Sequence, residues 1–222
     1  MLSIKKMSFG LKLIVVFFIF ISCSSYENNQ FNDKRSPSDE TTADEGADLE
    51  RLKLYADQAK TYCTSKKLNT DFYLLVDLSI HSGLKRFFIW DFKKDTVSYS
   101  CLVAHGCSTN PWSSDFTKEK AITSNQHESH CSSVGKYIIG ERGYSNWGIN
   151  VKYLMLGQDP TNSNALKREI VLHGWDSVSD KEVFPLGTPE GWGCPAISNN
   201  CMRIVDTKLK AAGKRVLLWT VQ

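Results

Sequence analysis

The sequence lacks the features that mark several large classes of protein. It has no run of more than two Lys or Arg residues, so nothing in it supports binding to nucleic acid. The spacings Cys-x2-Cys and His-x3-His, common among zinc ligands, are missing. Beyond the first 22 residues, no apolar run approaches the ~20 residues of a membrane-spanning helix. No internal repeat is visible. These absences favour an ordinary packed domain that is free or attached to a membrane without crossing it.

Residues 1–22 are typical of an export signal. Lysines precede or enter the apolar run over residues 11–21, which has the length of a signal-peptide core. The run ends at Ser22-Cys23 and resembles a bacterial lipoprotein signal. That resemblance implies that Cys23 becomes the lipid-bearing first residue of the mature chain. The alternative is an ordinary cleaved signal in which Cys23 has no role. We therefore expect an exported protein of the cell envelope whose contact with the membrane is a lipid anchor.

Residues 23–48 are predicted to be a flexible acidic tether. The formal charge of +3 falls to zero without the three lysines of the signal. Residues 23–50 then carry eight acids against two bases, and residues 51–222 carry the balancing +6. The tether has almost no large apolar side chains, so it cannot bury enough surface to offset its chain entropy. Residues 49–222 are thus expected to form one domain of ordinary size.

The folded part is predicted to be mainly β, with one helix before the sheet and one after the last cysteine motif. Helical spacing extends from Asp48 to Lys67, with Asp48 as the N-cap. A second helix, capped by Ser198 or Asn199, is expected to end at Gly213. The first three strand patterns have hairpin-length links, which predicts antiparallel pairing. The predicted strands cover residues 72–79, 86–92, 96–104, 135–140, 151–156, 168–173 and 215–221.

Residues 106–132 form a long polar segment without a clear period. A loop of that length inside a compact domain is usually functional. The cysteines and histidines of this loop and of the strand before it leave three hypotheses open. They could form a zinc site, Cys107 and Cys131 could form a disulfide, or His105 could line a substrate site. Because the usual ligand spacing is missing, we expect no metal, and we expect no other cofactor.

Two glycine-marked motifs carry the chemistry of the chain. His173-Gly174 closes an apolar run, and Gly193-Cys194-Pro195 follows with its cysteine 21 residues after the histidine. A thiolate is a strong nucleophile, a nearby imidazole lowers the cysteine pKa, and glycine lets the backbone approach a reacting carbonyl. A lone cysteine is more often a buried structural residue. The histidine and the glycines together favour acyl transfer through a thioester.

At these motifs the chain resembles the L,D-transpeptidase catalytic domain, the YkuD-like family. The matching segments are His173-Gly174 and Gly191-Trp192-Gly193-Cys194, and the stretches 103–106 and 132–137 are similar to a divergent branch with Trp-Gly-Cys-Pro. The likeness covers roughly residues 50–222. It implies a β-sandwich or barrel with an N-terminal helix and a helix after the catalytic cysteine. Two positions depart from the common pattern: Trp192 replaces a histidine, and Pro195 follows the cysteine.

The resemblance also implies a role for each site residue. Cys194 would attack an L,D-peptide bond in a peptidoglycan stem peptide, and His173 would take the thiol proton and return it to the departing D-amino acid. The carbonyl of Gly174 would hold the imidazole, and the N–H groups of Gly193 and Cys194 would form the oxyanion hole. Residues expected to contact the substrate are His105, Trp175 and Trp192, within a possible groove that also includes Trp112 and Trp147.

The predicted function is that of a peptidoglycan L,D-transpeptidase. One alternative is an L,D-carboxypeptidase, in which water rather than an amine releases the same acyl-enzyme. Another is a lipoprotein that binds wall peptides without turnover. Cys201 is interpreted as a core or surface thiol because it lies in a helix position. If Cys194 stays free, the five cysteines left beside Cys23 and Cys194 cannot all pair.

Overall fold

The computed structural model describes residues 47–112 and 120–222, which belong to the unit Thr42–Gln222. The predicted signal, the lipidation site Cys23 and nearly all of the predicted tether lie outside the described residues. Positions 113–119 of the long polar loop also lie outside them. None of the helices in the described ranges is both long and apolar enough to cross a bilayer.

Both predicted helices are present, and each begins at a predicted cap. Helix α1, Leu49–Ser65, starts after Asp48, whose carboxylate accepts from two N–H groups of the first turn. Helix α2, Asn199–Ala211, starts after Ser198, whose hydroxyl oxygen accepts from the N–H of Cys201. The strands are β1 (Phe72–Asp77), β2 (Phe87–Asp91), β3 (Thr96–Cys101), β4 (Val103–Ala104), β5 (Gly135–Tyr144), β6 (Val151–Gly157), β7 (Val171–Gly174), β8 (Ala196–Ile197) and β9 (Leu217–Val221), and one 3-10 turn spans Pro160–Asn162.

The nine strands form one sheet in the order β3-β2-β1-β9-β5-β6-β7-β8-β4. The first and last strands of that order are consecutive in the chain and are separated by Leu102 alone, so the sheet curls into a nearly closed barrel. Strands β1, β2 and β3 are antiparallel, as predicted. The pairs β1·β9 and β7·β8 are parallel. The predicted mainly-β fold with two flanking helices is confirmed.

Alternating side chains on the strands build two cores. On β1, Leu74 and Val76 face the interior of the curled sheet, which α2 closes with Met202. Tyr73 and Leu75 face the other way and pack beneath the apolar side of α1. Full burial of a large apolar side chain contributes about 1.5–3 kcal/mol, so these two layers hold the helices against the sheet.

Most strand boundaries differ from the prediction by a few residues, and three differences have a clear physical reason. The strand expected over residues 96–104 is broken at Leu102, where the chain passes from one edge of the sheet to the other. The strand expected from residue 168 begins only at Val171, since Glu169 has a φ of +55° and cannot be extended there. Strand β8 was missed because it is only two residues long.

The disulfide pairing corrects the expectations for the cysteines. Cys101 at the end of β3 is bonded to Cys201 in α2, so Cys201 is not a thiol. Cys107 and Cys131 are both buried, and the hypothesis of a disulfide bond between them is wrong. The bond ties the edge of the sheet to the helix that follows the Cys194 motif.

Candidate active site

The fold brings His173 and Cys194 to one cavity. His173 is on β7, paired in parallel with Ala196 of β8, and Cys194 precedes that partner by two residues. Both side chains line a cavity of about 290 Å³. Each is partly exposed, which leaves the thiol and the imidazole accessible from the cavity.

The hydrogen bond of His173 defines which ring nitrogen is available for proton transfer. Nδ1 lies 2.8 Å from the carbonyl oxygen of Gly174. A carbonyl only accepts, so Nδ1 carries the hydrogen, and Nε2 of the neutral ring has a free lone pair. The pKa of His173 is lowered, mainly by burial and also by the charge of Lys152, while the hydrogen bond to Gly174 acts in the opposite direction. The imidazole is therefore neutral at pH 7 and able to accept a proton.

The sulfur of Cys194 is held at the start of β7. The N–H of Val171 donates to Sγ at 3.4 Å, and Sγ lies 3.8 Å from the carbonyl oxygen of Glu169. Burial raises the pKa of the thiol, while the Val171 N–H and the charges of Arg168 and Lys152 act in the opposite direction. The resting form is accordingly the neutral thiol, and a base must remove its proton during attack on a carbonyl.

The backbone before Cys194 depends on a glycine. Gly193 has a φ of +96°, and a Cβ there would overlap the carbonyl oxygen of Cys131 and stand 3.0 Å from its carbon. The hydroxyl of Ser132 bridges the turn, because it accepts from the N–H of Gly106 at 3.2 Å and donates to the Gly193 carbonyl at 3.3 Å. The two upstream stretches that resemble the family thus support the loop that bears the nucleophile.

A second glycine supports the histidine. Gly148, between β5 and β6, has a φ of +57° and packs against Gly174. A Cβ at Gly148 would stand 2.6 Å from the Gly174 carbonyl oxygen that receives the His173 hydrogen bond. The sequence analysis did not single out this residue, and only the packing reveals its position.

The expected substrate contact of His105 is corrected by the structure. Its side chain is fully buried and lies between Arg86 and Glu190, which are also fully buried. Arg86 Nη2 donates to His105 Nδ1 at 2.7 Å, so His105 is neutral and its Nε2 donates to Glu190 Oε1 at 3.1 Å. Burial lowers the pKa of Arg86 to about 9, which still leaves it charged at pH 7. His105 therefore belongs to a buried ionic chain and does not line the cavity.

That ionic chain adjoins the nucleophile loop. The N–H of Gly191 donates to the His105 carbonyl at 2.8 Å, and the Gly191 carbonyl accepts from the backbone N–H of Cys107 at 2.7 Å. The other carboxylate oxygen of Glu190 accepts from Asn110 at 3.1 Å. The segment that leads to Cys194 is thus hydrogen-bonded on both sides to the start of the long polar loop.

Four tryptophans form the walls of the cavity. Trp192 is 61% exposed and stacks on His130 with ring centroids 5.2 Å apart, while Trp175 is only 5% exposed. Trp112 lies between the others, 5.3 Å from Trp147 and 6.0 Å from Trp175. The predicted groove of tryptophans is therefore present beside the thiol and the imidazole.

Arg168 is a site residue that the sequence analysis missed. Its guanidinium donates to the carbonyl of Ser124 at 2.8 Å, to the hydroxyl of Ser133 and to the carbonyl of Cys131 at 2.5 Å. It thus organises the carbonyl against which Gly193 packs. The sequence analysis had placed Arg168 at the start of a predicted strand. Its role in the site was missed because its partners lie 35 to 44 positions earlier in the chain and no local pattern marks them.

Within residues 47–112 and 120–222, no group of three or more His, Cys, Asp or Glu side chains is arranged to hold a metal ion. Of the residues considered for zinc, Cys101 is in the disulfide and His105 is in the buried ionic chain. The described part of the loop thus offers no zinc site.

A thiol and a neutral imidazole that line the same cavity are the side chains that a cysteine acyltransferase requires. The model of the L,D-transpeptidase catalytic domain family, YkuD_2, matches residues 44–219. The chain belongs to that family.

Similar solved structures share little sequence with this chain. The helical cell shape determining protein Pgp2 from Campylobacter jejuni matches with 14% identity and a TM-score of 0.39, over 76% of this chain and 55% of that one. A variant of the same protein gives 13% identity and a TM-score of 0.43 over the same shares. An L,D-transpeptidase from Xylanimonas cellulosilytica matches with 11% identity and a TM-score of 0.35, over 67% of this chain and 59% of that one. The chain thus spans little more than half the length of these proteins. A comparison with curated proteins found no match.

Proposed function

We propose that this protein is an exported, lipid-anchored L,D-transpeptidase that acts on peptidoglycan stem peptides. The observation that carries the proposal is the pairing of Cys194 with His173 in one cavity, with Nδ1 of the histidine bonded to the Gly174 carbonyl. Membership of the L,D-transpeptidase catalytic domain family supports the substrate class. The lipid anchor at Cys23 and the location in the cell envelope rest on the sequence of residues 1–23.

The reaction begins with the neutral thiol. His173 Nε2 removes the proton as Sγ of Cys194 attacks the carbonyl carbon of the L,D-peptide bond. The N–H groups of Gly193 and Cys194 are the candidates to stabilise the oxyanion, and losing one such donor typically costs about 2.7–4 kcal/mol of barrier. The C–N bond then breaks, and His173 transfers its proton to the departing amine of the D-amino acid.

The thioester on Cys194 is released by a second nucleophile. Attack by an acceptor amine gives a crosslinked stem, which is the product of a transpeptidase. Attack by water gives a shortened stem, which is the product of an L,D-carboxypeptidase. Both routes use the same two side chains.

The test is incubation of the purified protein with muropeptides, followed by mass spectrometry. Crosslinked dimers support transpeptidation, and shortened stems without dimers assign the carboxypeptidase reaction. Cys194→Ala and His173→Gln should each lower the rate by at least about a thousandfold. Cys63→Ala provides a matched control, since Cys63 is a free cysteine on the buried face of α1.

A covalent probe tests the nucleophile separately. A carbapenem should acylate Cys194, with one adduct on the wild type and none on Cys194→Ala. Unchanged muropeptides together with retained peptide binding in both proteins would contradict an enzymatic role and indicate a binding lipoprotein.

A further inference from the structure

We propose that Glu190 is a positioning residue for the reaction, because its side chain holds the loop that bears Cys194 and the wall that bears Trp112 in one fixed arrangement. This inference rests on the proposed function, since it gives a role in acyl transfer to a residue outside the cavity. Glu190 precedes the nucleophile by four positions and is not among the described residues that line the cavity. It therefore acts through its neighbours.

One carboxylate oxygen of Glu190 is tied to the barrel. His105 Nε2 donates to Oε1 at 3.1 Å, and Arg86 Nη2 holds His105 Nδ1 at 2.7 Å. Arg86 is fixed in turn, because its guanidinium also donates to the carbonyls of Val103 and Ile80. The side chains of Arg86, His105 and Glu190 are fully buried, so bulk water does not compete for these bonds. The segment before the nucleophile thus begins at a fixed point.

From that point the backbone leads directly to Cys194. Gly191 donates to the His105 carbonyl at 2.8 Å and accepts from the Cys107 N–H at 2.7 Å. The N–H groups of Gly193 and Cys194 come next, and they donate to no acceptor among the described residues. They are thus available to an oxyanion. A misplacement of ~1 Å in such a site can cost about a hundredfold in rate.

The other carboxylate oxygen of Glu190 is tied to the loop that bears Trp112. Asn110 Nδ2 donates to Oε2 at 3.1 Å, and Trp112 follows Asn110 by two residues. The Trp112 ring centroid lies 6.3 Å from that of Trp192, which follows Glu190 by two residues. The same carboxylate therefore sets the spacing between tryptophans on two sides of the cavity.

Two substitutions separate this positioning role from charge balance. Bridging His105 and Asn110 requires the length of a glutamate, whereas compensating Arg86 requires only a negative charge. Glu190→Gln keeps the length, because it can accept from His105 and donate to Asn110 once that amide turns over. Glu190→Asp keeps the charge, but its carboxylate is one methylene too short to reach both partners.

The experiment measures acylation of Cys194 by a carbapenem over a range of concentrations, by mass spectrometry of the intact protein. We expect Glu190→Asp to lower the maximal rate at least about tenfold and Glu190→Gln to stay within about threefold of the wild type. Asn110→Ala releases only the Trp112 wall, so it should raise the half-saturating concentration several-fold and leave the maximal rate unchanged.

Glu141→Asp is the matched control, since it shortens an exposed glutamate on β5 and should change neither quantity. Thermal unfolding of each variant reports whether it is folded. A Glu190→Asp protein as fast as the wild type, or faster than Glu190→Gln, would overturn the positioning role in favour of charge balance. An unchanged half-saturating concentration in Asn110→Ala would overturn the link to the Trp112 wall.

Hydrogen exchange followed by mass spectrometry gives a readout that does not depend on activity. In Glu190→Asp the amides of Gly191 and Cys107 should exchange at least about tenfold faster, while those of α1 keep the wild-type protection. Unchanged exchange would overturn the inference whatever the activity. If these amides loosen but the wild type is not acylated and leaves muropeptides unchanged, the proposed function fails, while Glu190 still fixes the two segments.

Discussion

At the scale of single residues, the hydrogen bond from His173 to Gly174 is decisive for the proposed chemistry. It leaves the lone pair on Nε2 and holds the ring without a carboxylate partner. Burial keeps the ring neutral and keeps the thiol protonated. The pair therefore differs from a preformed thiolate–imidazolium pair, because the proton moves during attack rather than before it.

A pH profile tests this arrangement. Only neutral His173 accepts a proton, and its pKa lies below the ordinary value of 6.5, so activity should persist below pH 6.5 and fall at more acidic pH. Measuring kcat/KM for release of the D-amino acid across pH gives the position of the acid limb. Lys152→Met should move that limb upward, because the lysine charge lowers the pKa of His173. A wild-type midpoint above 6.5 would contradict a buried neutral base.

Gly193 provides a second test at this scale. Gly193→Ala places a Cβ on the Cys131 carbonyl at a φ of +96°, so it should destabilise the protein by about 1–3 kcal/mol and displace the Cys194 backbone. Thermal unfolding and carbapenem acylation measure the two effects. Gly213→Ala is the matched control, since nothing lies within 4 Å of its Cβ position. Equal acylation rates in the two variants would show that the turn tolerates a side chain.

At the scale of elements, the buried ionic chain of Arg86, His105 and Glu190 connects the start of β2 and the end of β4 to the segment before Cys194. Arg86 donates to the carbonyl of Val103 through Nε at 3.1 Å and Nη2 at 2.9 Å, and it also bonds to His105. His105 in turn reaches Glu190, 85 positions later. Breaking a buried charge pair leaves an uncompensated charge, which is far costlier than losing a surface pair.

Removing Glu190 tests this connection. Glu190→Ala should lower the free energy of unfolding by about 3–5 kcal/mol, because the His105 N–H loses its acceptor and the Arg86 charge loses one of its two nearby carboxylates, the other being Asp77. Glu190→Gln keeps an acceptor and should lower it less. Urea unfolding followed by circular dichroism gives both values. Asp57→Asn, which breaks the exposed Lys53–Asp57 pair, should leave the midpoint unchanged. The idea fails if Glu190→Ala unfolds at the wild-type midpoint.

Comparison of sequence and structure shows where local patterns suffice. The caps at Asp48 and Ser198 and the first three strands were predictable, because each depends on neighbouring residues or on a period of two or 3.6. The motifs placed His173 and Cys194 as candidates, and the structure brings both to one cavity.

The misplaced residues share a different property. His105 was expected to line the site, but its partners Arg86 and Glu190 are 19 and 85 positions away. Cys101 and Cys201 are 100 positions apart. Pairs of this kind arise from the curling of the sheet, and no periodicity in the chain encodes which side chains then meet.

At the scale of the whole molecule, the Cys101–Cys201 bond joins the strand at one edge of the sheet to the helix after Cys194. A bond that closes a long loop stabilises a fold mainly by restricting the unfolded chain, typically by about 2–4 kcal/mol. An oxidising compartment permits such a bond.

Reduction tests the contribution of the disulfide. Dithiothreitol should lower the urea midpoint of the wild type by an amount that corresponds to about 2–4 kcal/mol. The double variant Cys101→Ala/Cys201→Ala should already be less stable and should not respond to the reductant. Alkylation of the unreduced, unfolded protein should label Cys63, Cys131 and Cys194. Labelling of Cys101 or Cys201 in that experiment would refute the bond.

The parallel pairing of β7 and β8 bears on how such a site diversifies. Parallel neighbours require the chain to leave the sheet at one end and re-enter it at the other, and here residues 175–195 make that connection between Gly174 and Ala196. The last part of the connection, residues 190–194, is fixed by its hydrogen bonds and by the packing of Gly193. Insertions and exchanges in residues 176–189 can create new ligand preferences in descendants, or in engineered versions, while the reacting pair is inherited unchanged.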